Sequence, residues 1–256
     1  MNGTATRLTA SEFVSGVRTI GGREFAATFD QGIAYVYTIA FAILANSIFM
    51  NEFFLAGRVE MRGFFDRLPL LFAVFLPAIT MRLWAEERRQ RTSEFLLTLP
   101  VVPLQAVLGK FCAALGLFAL FLASSFPIVI MLAALGHPDF GLILSGYIGA
   151  ACLGALFLAF GMFFSSLSGD QIIAFVSSAL LAFFLVLTGN DKVVAVLDGL
   201  FPSLSLGTLL AQSISVMPHF DAFVRGSIEL SSIFYFGGFI ALFLWLTVLV
   251  LDLSRQ

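Results

Sequence analysis

The densest chemistry in the chain lies between Trp84 and Lys110, in the run WAEERRQRTSEFLLTLPVVPLQAVLGK. Glu86, Glu87, Arg88, Arg89, Arg91 and Glu94 crowd its first half. An amphipathic segment from Phe95 to Leu99 follows, and Pro100 and Pro103 interrupt it. Carboxylates and arginines at this density can make short, directional, charge-assisted hydrogen bonds. That suits a docking element for a partner protein. The same residues also suit a solvated loop whose arginines only set topology, and the residue types leave both readings open.

Other chemistries lack their side chains. A phosphate-cradling loop needs G-x-x-x-x-G-K-[ST]. The run from Leu104 to Phe111, LQAVLGKF, has the Gly-Lys pair, but Leu replaces the first Gly and Phe replaces the magnesium ligand. ATP chemistry is therefore expected on another chain, and Lys110 is expected to be an interfacial anchor. The two histidines, His137 and His219, lie beside prolines, and no H-E-x-x-H occurs. No Asp or Glu falls in the middle of an apolar run, which disfavours an aspartyl dyad or a proton relay. No enzymatic activity, metal or cofactor is expected. A net charge of −2 offers nucleic acid no basic field. Cys112 and Cys152 lie in apolar runs and make no disulfide framework.

The elements that must position these residues are helices in lipid. Apolar residues make up 59% of the chain and charged residues 12%, with a mean hydropathy of +0.99. Soluble domains carry about a quarter charged residues, so lipid is the expected solvent. A span needs roughly 20 apolar residues. Uncharged runs at 31–51, 111–138, 140–169, 171–190 and 230–251 qualify, and a shorter run, 68–81, qualifies if Arg67 and Arg82 snorkel. Gly199 to Phe220 is too rich in Pro, Ser and Thr to span. It reads as a re-entrant or surface helical pair, or else as an outer loop lying on the membrane.

The expected fold is therefore all-α. It is one polytopic membrane domain over 1–256, with six transmembrane helices and an outer segment at 189–230. Charges from Arg7 to Asp30 interrupt any leader-like apolar run, so no cleaved signal peptide is expected. With both termini cytoplasmic, nine Lys and Arg fall on inner segments and five (Arg58, Arg62, Arg67, Lys192, Arg225) on outer ones, which favours that orientation. Tyr35, Tyr37, Trp84 and Tyr235 fall near span ends, as an aromatic belt would. Thr9 and Glu12 have capping-box spacing. Phe13, Val17, Ile20 and Phe25 then recur at helical intervals, predicting an amphipathic interfacial helix within 1–30, although Gly16, Gly21 and Gly22 weaken it. Small residues on the fourth span, including Ala150 and Gly154, predict close packing, more readily within one subunit than between two. Pro77 and Pro127 predict kinks. Asn46, Ser47, Ser177, Ser178 and Thr188 are the polar candidates for lining a path across the membrane.

The run PAITMRLWAEERRQRTSEFLLTLPV…VLGK, from Pro77 to Lys110, resembles the signature of ABC-2-type transporter permeases. In that family an acidic pair and a Thr-x-Glu-x-Leu-Leu-x-x-Pro pattern follow the second span. These fall on Glu86 and Glu87, then on Thr92, Glu94, Leu96, Leu97 and Pro100. A Gly-Lys pair, here Gly109 and Lys110, opens the third span. HFDAFVRGSIELSSIFYF, from His219 to Phe236, resembles the segment before the last span in the gliding-motility-type branch. Arg91 departs from the Gly found there in many relatives.

The resemblance implies the permease subunit of an ATP-binding cassette exporter in the cell (inner or plasma) membrane. A separate cytoplasmic ATP-binding subunit would be its partner. The subunit would pair as a homodimer, or as a heterodimer with a related permease. The coupling loop would be 85–106, with Glu86, Glu87, Arg91, Thr92, Glu94 and Leu97 meeting the ATPase. The alternative is a non-transporting scaffold that couples an ATPase to an extracytoplasmic machine.

Overall fold

The computed structural model describes residues 9–30, 32–57, 60–89, 102–200 and 206–253. Apart from the short turns that join its helices, this described part is helical, with no strand in it. In chain order the helices are α1 (Ala10–Asp30), α2 (Ile33–Ala56), α3 (Arg62–Thr80), α4 (Ala85–Arg89), α5 (Pro103–Ala123), α6 (Phe126–Leu135), α7 (Phe140–Leu167), α8 (Gln171–Leu187), α9 (Asp191–Leu200), α10 (Leu206–Ser213), α11 (Met217–Val224) and α12 (Leu230–Leu253).

Five stretches are long and apolar enough to cross a membrane: Ala34–Leu55, Arg62–Arg89, Pro103–Leu135, Phe140–Leu167 and Leu230–Leu253. The chain is an all-helical protein of membrane-spanning character. The uncharged run at 171–190 forms α8, only 17 residues long, which passes the same test only when joined to Lys192–Leu200 across an 88° bend. The third stretch begins well before the expected 111. Pro103 occupies a first-turn position, where its missing N–H costs nothing. Lys110 does not end the apolar helix because its charge is met by carboxylates, as described below.

Helix α7 is the centre of the bundle, packed by α3, α5, α8, α11 and α12. Its small residues allow this. The α-carbon of Gly146 faces the Phe65 ring, Gly149 faces Phe223, Gly154 faces Phe118 and Gly161 faces Thr80. Lipid tails are as apolar as the side chains they replace, so close packing of this kind, rather than expulsion of water, holds helices together in a bilayer. The small-residue run is thus used within one subunit. The Phe-rich interior follows the same logic: Phe41, Phe72, Phe118 and Phe121 meet ring against ring between α2, α3 and α5.

Three polar details fix the backbone. The Thr9 N–H donates to Glu12 Oε2 at 2.8 Å, and the Glu12 N–H to Thr9 Oγ1 at 3.4 Å, completing the capping box of α1. The bond from the Thr9 N–H, with a second from Thr9 Oγ1 to Glu12 Oε2 at 2.7 Å, holds the Glu12 carboxyl below its usual pKa. Gly32, at φ 72°, takes the left-handed turn between α1 and α2, where other residues are strained. Between α5 and α6 the helix breaks at Ser124 and Ser125, ahead of Pro127, and Asn46 Nδ2 donates to the freed Ser124 carbonyl at 3.2 Å.

Helices α9 to α11 fill the segment before the last span. Phe220 and Phe223 of α11 have no exposed surface, and the Phe223 carbonyl accepts from Ser145 Oγ at 2.7 Å. That half of the segment is a packed part of the bundle, not an outer loop lying on it. Trp84, expected in an aromatic belt, is 1% exposed and lies inside.

Candidate functional site

The site grows from the start of α5. Gln105, on its first turn, accepts from the Val102 N–H at 3.1 Å and donates to the Phe13 carbonyl of α1 at 3.3 Å. One turn on, Gly109 brings the two helices together. A Cβ there would stand 2.8 Å from Ile20 Cγ2 and 3.1 Å from the Val17 carbonyl, and Gly21 faces the Gly109 carbonyl in return. Gly16 and Gly21, which weaken α1 as an isolated helix, are therefore what lets it lie against α5. The apolar face of Val17, Ile20 and Phe25 packs on protein here.

Contact this close delivers Glu24 of α1 to Lys110. The Lys110 side chain is 2% exposed, and its Nζ lies 2.8 Å from Glu87 Oε1 of α4 and 3.3 Å from Glu24 Oε2. The ammonium also stands over the Trp84 ring, 5.0 Å from its centroid, in cation–π contact. Two carboxylates and an aromatic face are what a buried lysine needs to stay charged, since an uncompensated ammonium out of water is very costly. Lys110 is not the interfacial anchor expected from the sequence. Its position at the start of an apolar run says nothing of carboxylates far upstream.

Helix α4 is held by a second device. Ser165 Oγ of α7 accepts from the N–H groups of Trp84 and Ala85, at 3.0 and 3.1 Å, and donates to the Met81 carbonyl at 3.0 Å. One hydroxyl thus serves the turn that joins α3 to α4. On the next face, Arg82 Nε stands 3.3 Å from Glu86 Oε2, at salt-bridge distance, though not aligned as a hydrogen bond. Beside these groups lies an open cavity of about 370 Å³. Its polar end carries Glu24, Arg82, Glu86, Glu87 and Lys110, and its apolar wall carries Ala78, Ile79, Ala113, Ala114 and Leu117.

No family model matches this chain, and no curated protein matches it. Of the coupling residues expected from the sequence, Glu86 and Glu87 belong to the cluster, while Arg91, Thr92, Glu94 and Leu97 lie outside the described residues. The cluster roots the 90–101 segment on both sides, through α4 before it and α5 after it. Sequence reasoning missed Glu24, Trp84, Gln105 and Ser165, and misassigned Lys110. Two signals were present: a lysine inside the 102–123 apolar run, and Glu24 falling on the apolar stripe of α1 at helical spacing from Val17 and Ile20.

The path-lining candidates are not brought together. Asn46 is half-buried at the α5–α6 break, with its Oδ1 buried and unbonded among the described residues. Ser47 is exposed on α2, in a surface groove with Asn51, Glu52 and Arg67. Ser177 Oγ donates to the Ile173 carbonyl and Ser178 Oγ to the Ala174 carbonyl, each at 2.7 Å. Thr188 Oγ1 donates to the Leu185 carbonyl at 3.1 Å. Ser178 and Thr188 are buried. These hydroxyls satisfy their own helix, a common habit of Ser and Thr in apolar helices.

Proposed function

We propose that this chain is the membrane-spanning permease subunit of an ATP-binding cassette exporter, driven by ATP hydrolysis on a separate cytoplasmic chain. In this reading it sits in the cell membrane with both termini cytoplasmic. It has six spans, the fifth being the bent pair of α8 and α9, and it works as a pair with itself or with a related permease. The 90–101 segment is the contact to the ATPase, with Thr92, Glu94 and Leu97 at the interface and Glu86 and Glu87 at its root.

The observation that carries this reading is the cluster around Lys110. A loop that transmits force needs a stiff root. Here α1, α4 and α5 are joined by one buried cation within salt-bridge distance of Glu24 and Glu87, and α4 is tied to α7 through Ser165. A loop that only sets topology needs no such clamp. The sequence pattern from Pro77 to Lys110 supplies the nature of the partner.

The test is ATP hydrolysis by gently solubilised, affinity-purified protein, wild type against Glu94→Ala. Vanadate-sensitive hydrolysis is expected to co-elute with wild type, and to be lost or uncoupled from transport in the variant. A preparation that retains other membrane complexes but no ATPase would reduce the chain to a stand-alone membrane scaffold.

A further inference from the structure

We propose that the cavity beside the Lys110 cluster binds a membrane phospholipid, its phosphate held by Arg82 and Tyr37 and its first methylenes lying along Ala78, Ala113, Ala114 and Leu117. The cavity's layout points to an amphiphile. Along two of its walls the charged residues sit at one end and the apolar residues run inward: Arg82 just after α3, then Ala78 on α3; Lys110, then Ala113, Ala114 and Leu117 on α5. From Lys110 to Leu117 is about 10 Å along the helix axis. That is enough for a glycerol backbone and the head of an acyl chain. The volume of about 370 Å³ falls within the range of small-molecule sites. Alanines at three of the wall positions are what keep the space open.

The polar end holds three carboxylates, Glu24, Glu86 and Glu87, and two cations, Lys110 and Arg82, so an anion has one place to bind there, the open edge of Arg82. Lys110 is committed to Glu24 and Glu87. Arg82 is the other cation lining the cavity. Among the described residues its guanidinium makes no hydrogen bond, only the 3.3 Å approach of Nε to Glu86. A guanidinium carries five N–H donors in a planar fork that fits phosphate oxygens. One carboxylate beside Nε leaves the outer edge of that fork open. Tyr37 lines the same cavity, one turn into α2, and its hydroxyl makes no hydrogen bond with the other described residues. A guanidinium edge and a phenol above an apolar wall are the contacts a phosphodiester with acyl chains would take.

Trp84 supplies the readout. Its ring lies against Lys110 at the polar end, and Trp245 is the only other tryptophan. In a Trp245→Phe background, Trp84 fluorescence is followed while phosphatidylglycerol with brominated acyl chains is titrated into the detergent-solubilised protein. Brominated diacylglycerol, with the same chains and no phosphate, serves as the control. Saturable quenching by the phospholipid alone is expected. Arg82→Gln should weaken it about ten-fold, as loss of a charge-assisted hydrogen bond predicts. Tyr37→Phe should weaken it less, and Ala78→Leu, which plugs the cavity from a half-buried position, should abolish it. Equal quenching by diacylglycerol, or unchanged quenching in both Arg82→Gln and Ala78→Leu, would overturn the proposal. Displacement of the lipid by millimolar inorganic phosphate would reassign the site to the free anion. No ATPase is needed, so failure here leaves the transport reading untouched.

Discussion

Lys110, at the end of the bundle where α1 meets α5, is 2% exposed and reaches two carboxylates on two other helices at 2.8 and 3.3 Å. At the opposite end, Arg62, Arg67 and Arg225 are 60–66% exposed, and their partners Asp66, Glu52 and Asp221 stand 3.7–3.9 Å away. Two of those three pairs lie only four residues apart in the chain. The far end also holds a cavity, of about 550 Å³, rimmed by Arg62, His137, Asp139 and Arg225. The same residue types thus do two jobs. Exposed pairs contribute little to stability and mainly mark where water begins. A buried, three-helix cluster fixes where helices sit, because breaking it strands charge away from water.

The largest effect should come from Lys110→Met. It leaves Glu24 and Glu87 facing each other without their cation, and should cost about 3–5 kcal/mol. Unfolding of the purified protein in detergent is the measurement. The triple variant Lys110→Met, Glu24→Gln, Glu87→Gln should recover most of that loss, because no charge is then stranded. Equal instability of single and triple variants would break the comparison. Next is Gly109→Val, whose added carbons press on Ile20 and the Val17 carbonyl. Overpacking costs about 1–3 kcal/mol. Limited trypsinolysis should show faster cleavage at Arg18 and Arg23 as α1 lifts.

Asn46→Ala removes the donor to Ser124 and should cost about 1 kcal/mol, read by the same unfolding assay. At the far end the sharpest probe is His219, stacked on Tyr235 at 4.2 Å and bonded to Ser232 at 3.1 Å. Burial lowers its pKa, opposed by the nearby Glu229 charge. The unfolded chain therefore takes up this proton first. The His219 contribution should be complete above about pH 6.5 and be lost as pH falls through the lowered folded value. His219→Gln should flatten that part of the pH profile. Smallest of all, Arg225→Gln should change stability by at most about 1 kcal/mol, and less in high salt.

The long apolar helices were legible because composition and length alone specify a helix in lipid; α7 and α12 fall almost where their uncharged runs do. The capping box at Thr9 and Glu12 was legible because it is local. What was not legible depends on distant partners. Lys110 looked like an end marker because charge normally ends an apolar run, and only folding brings Glu24 and Glu87 to it. Gly16 and Gly21 looked like flaws because a helix read alone carries the full entropic cost of glycine, while the compensating contact with α5 lies elsewhere in the sequence. Ser165 gave no signal, since a hydroxyl in an apolar helix most often bonds its own backbone. The serines of α8 do that, and the sequence offered them as lining.

The contact of α1 with α5 also constrains the order of assembly. Gln105 reaches Phe13 across 92 positions. During synthesis at roughly 5–20 residues per second, α1 must wait about 5–20 s for its mate. Until then Glu24 and the apolar stripe of α1 have only the membrane surface to rest on. Helix α1 is thus made well before it can be seated, and its arrival against Gly109 reports that the third apolar segment has taken its place.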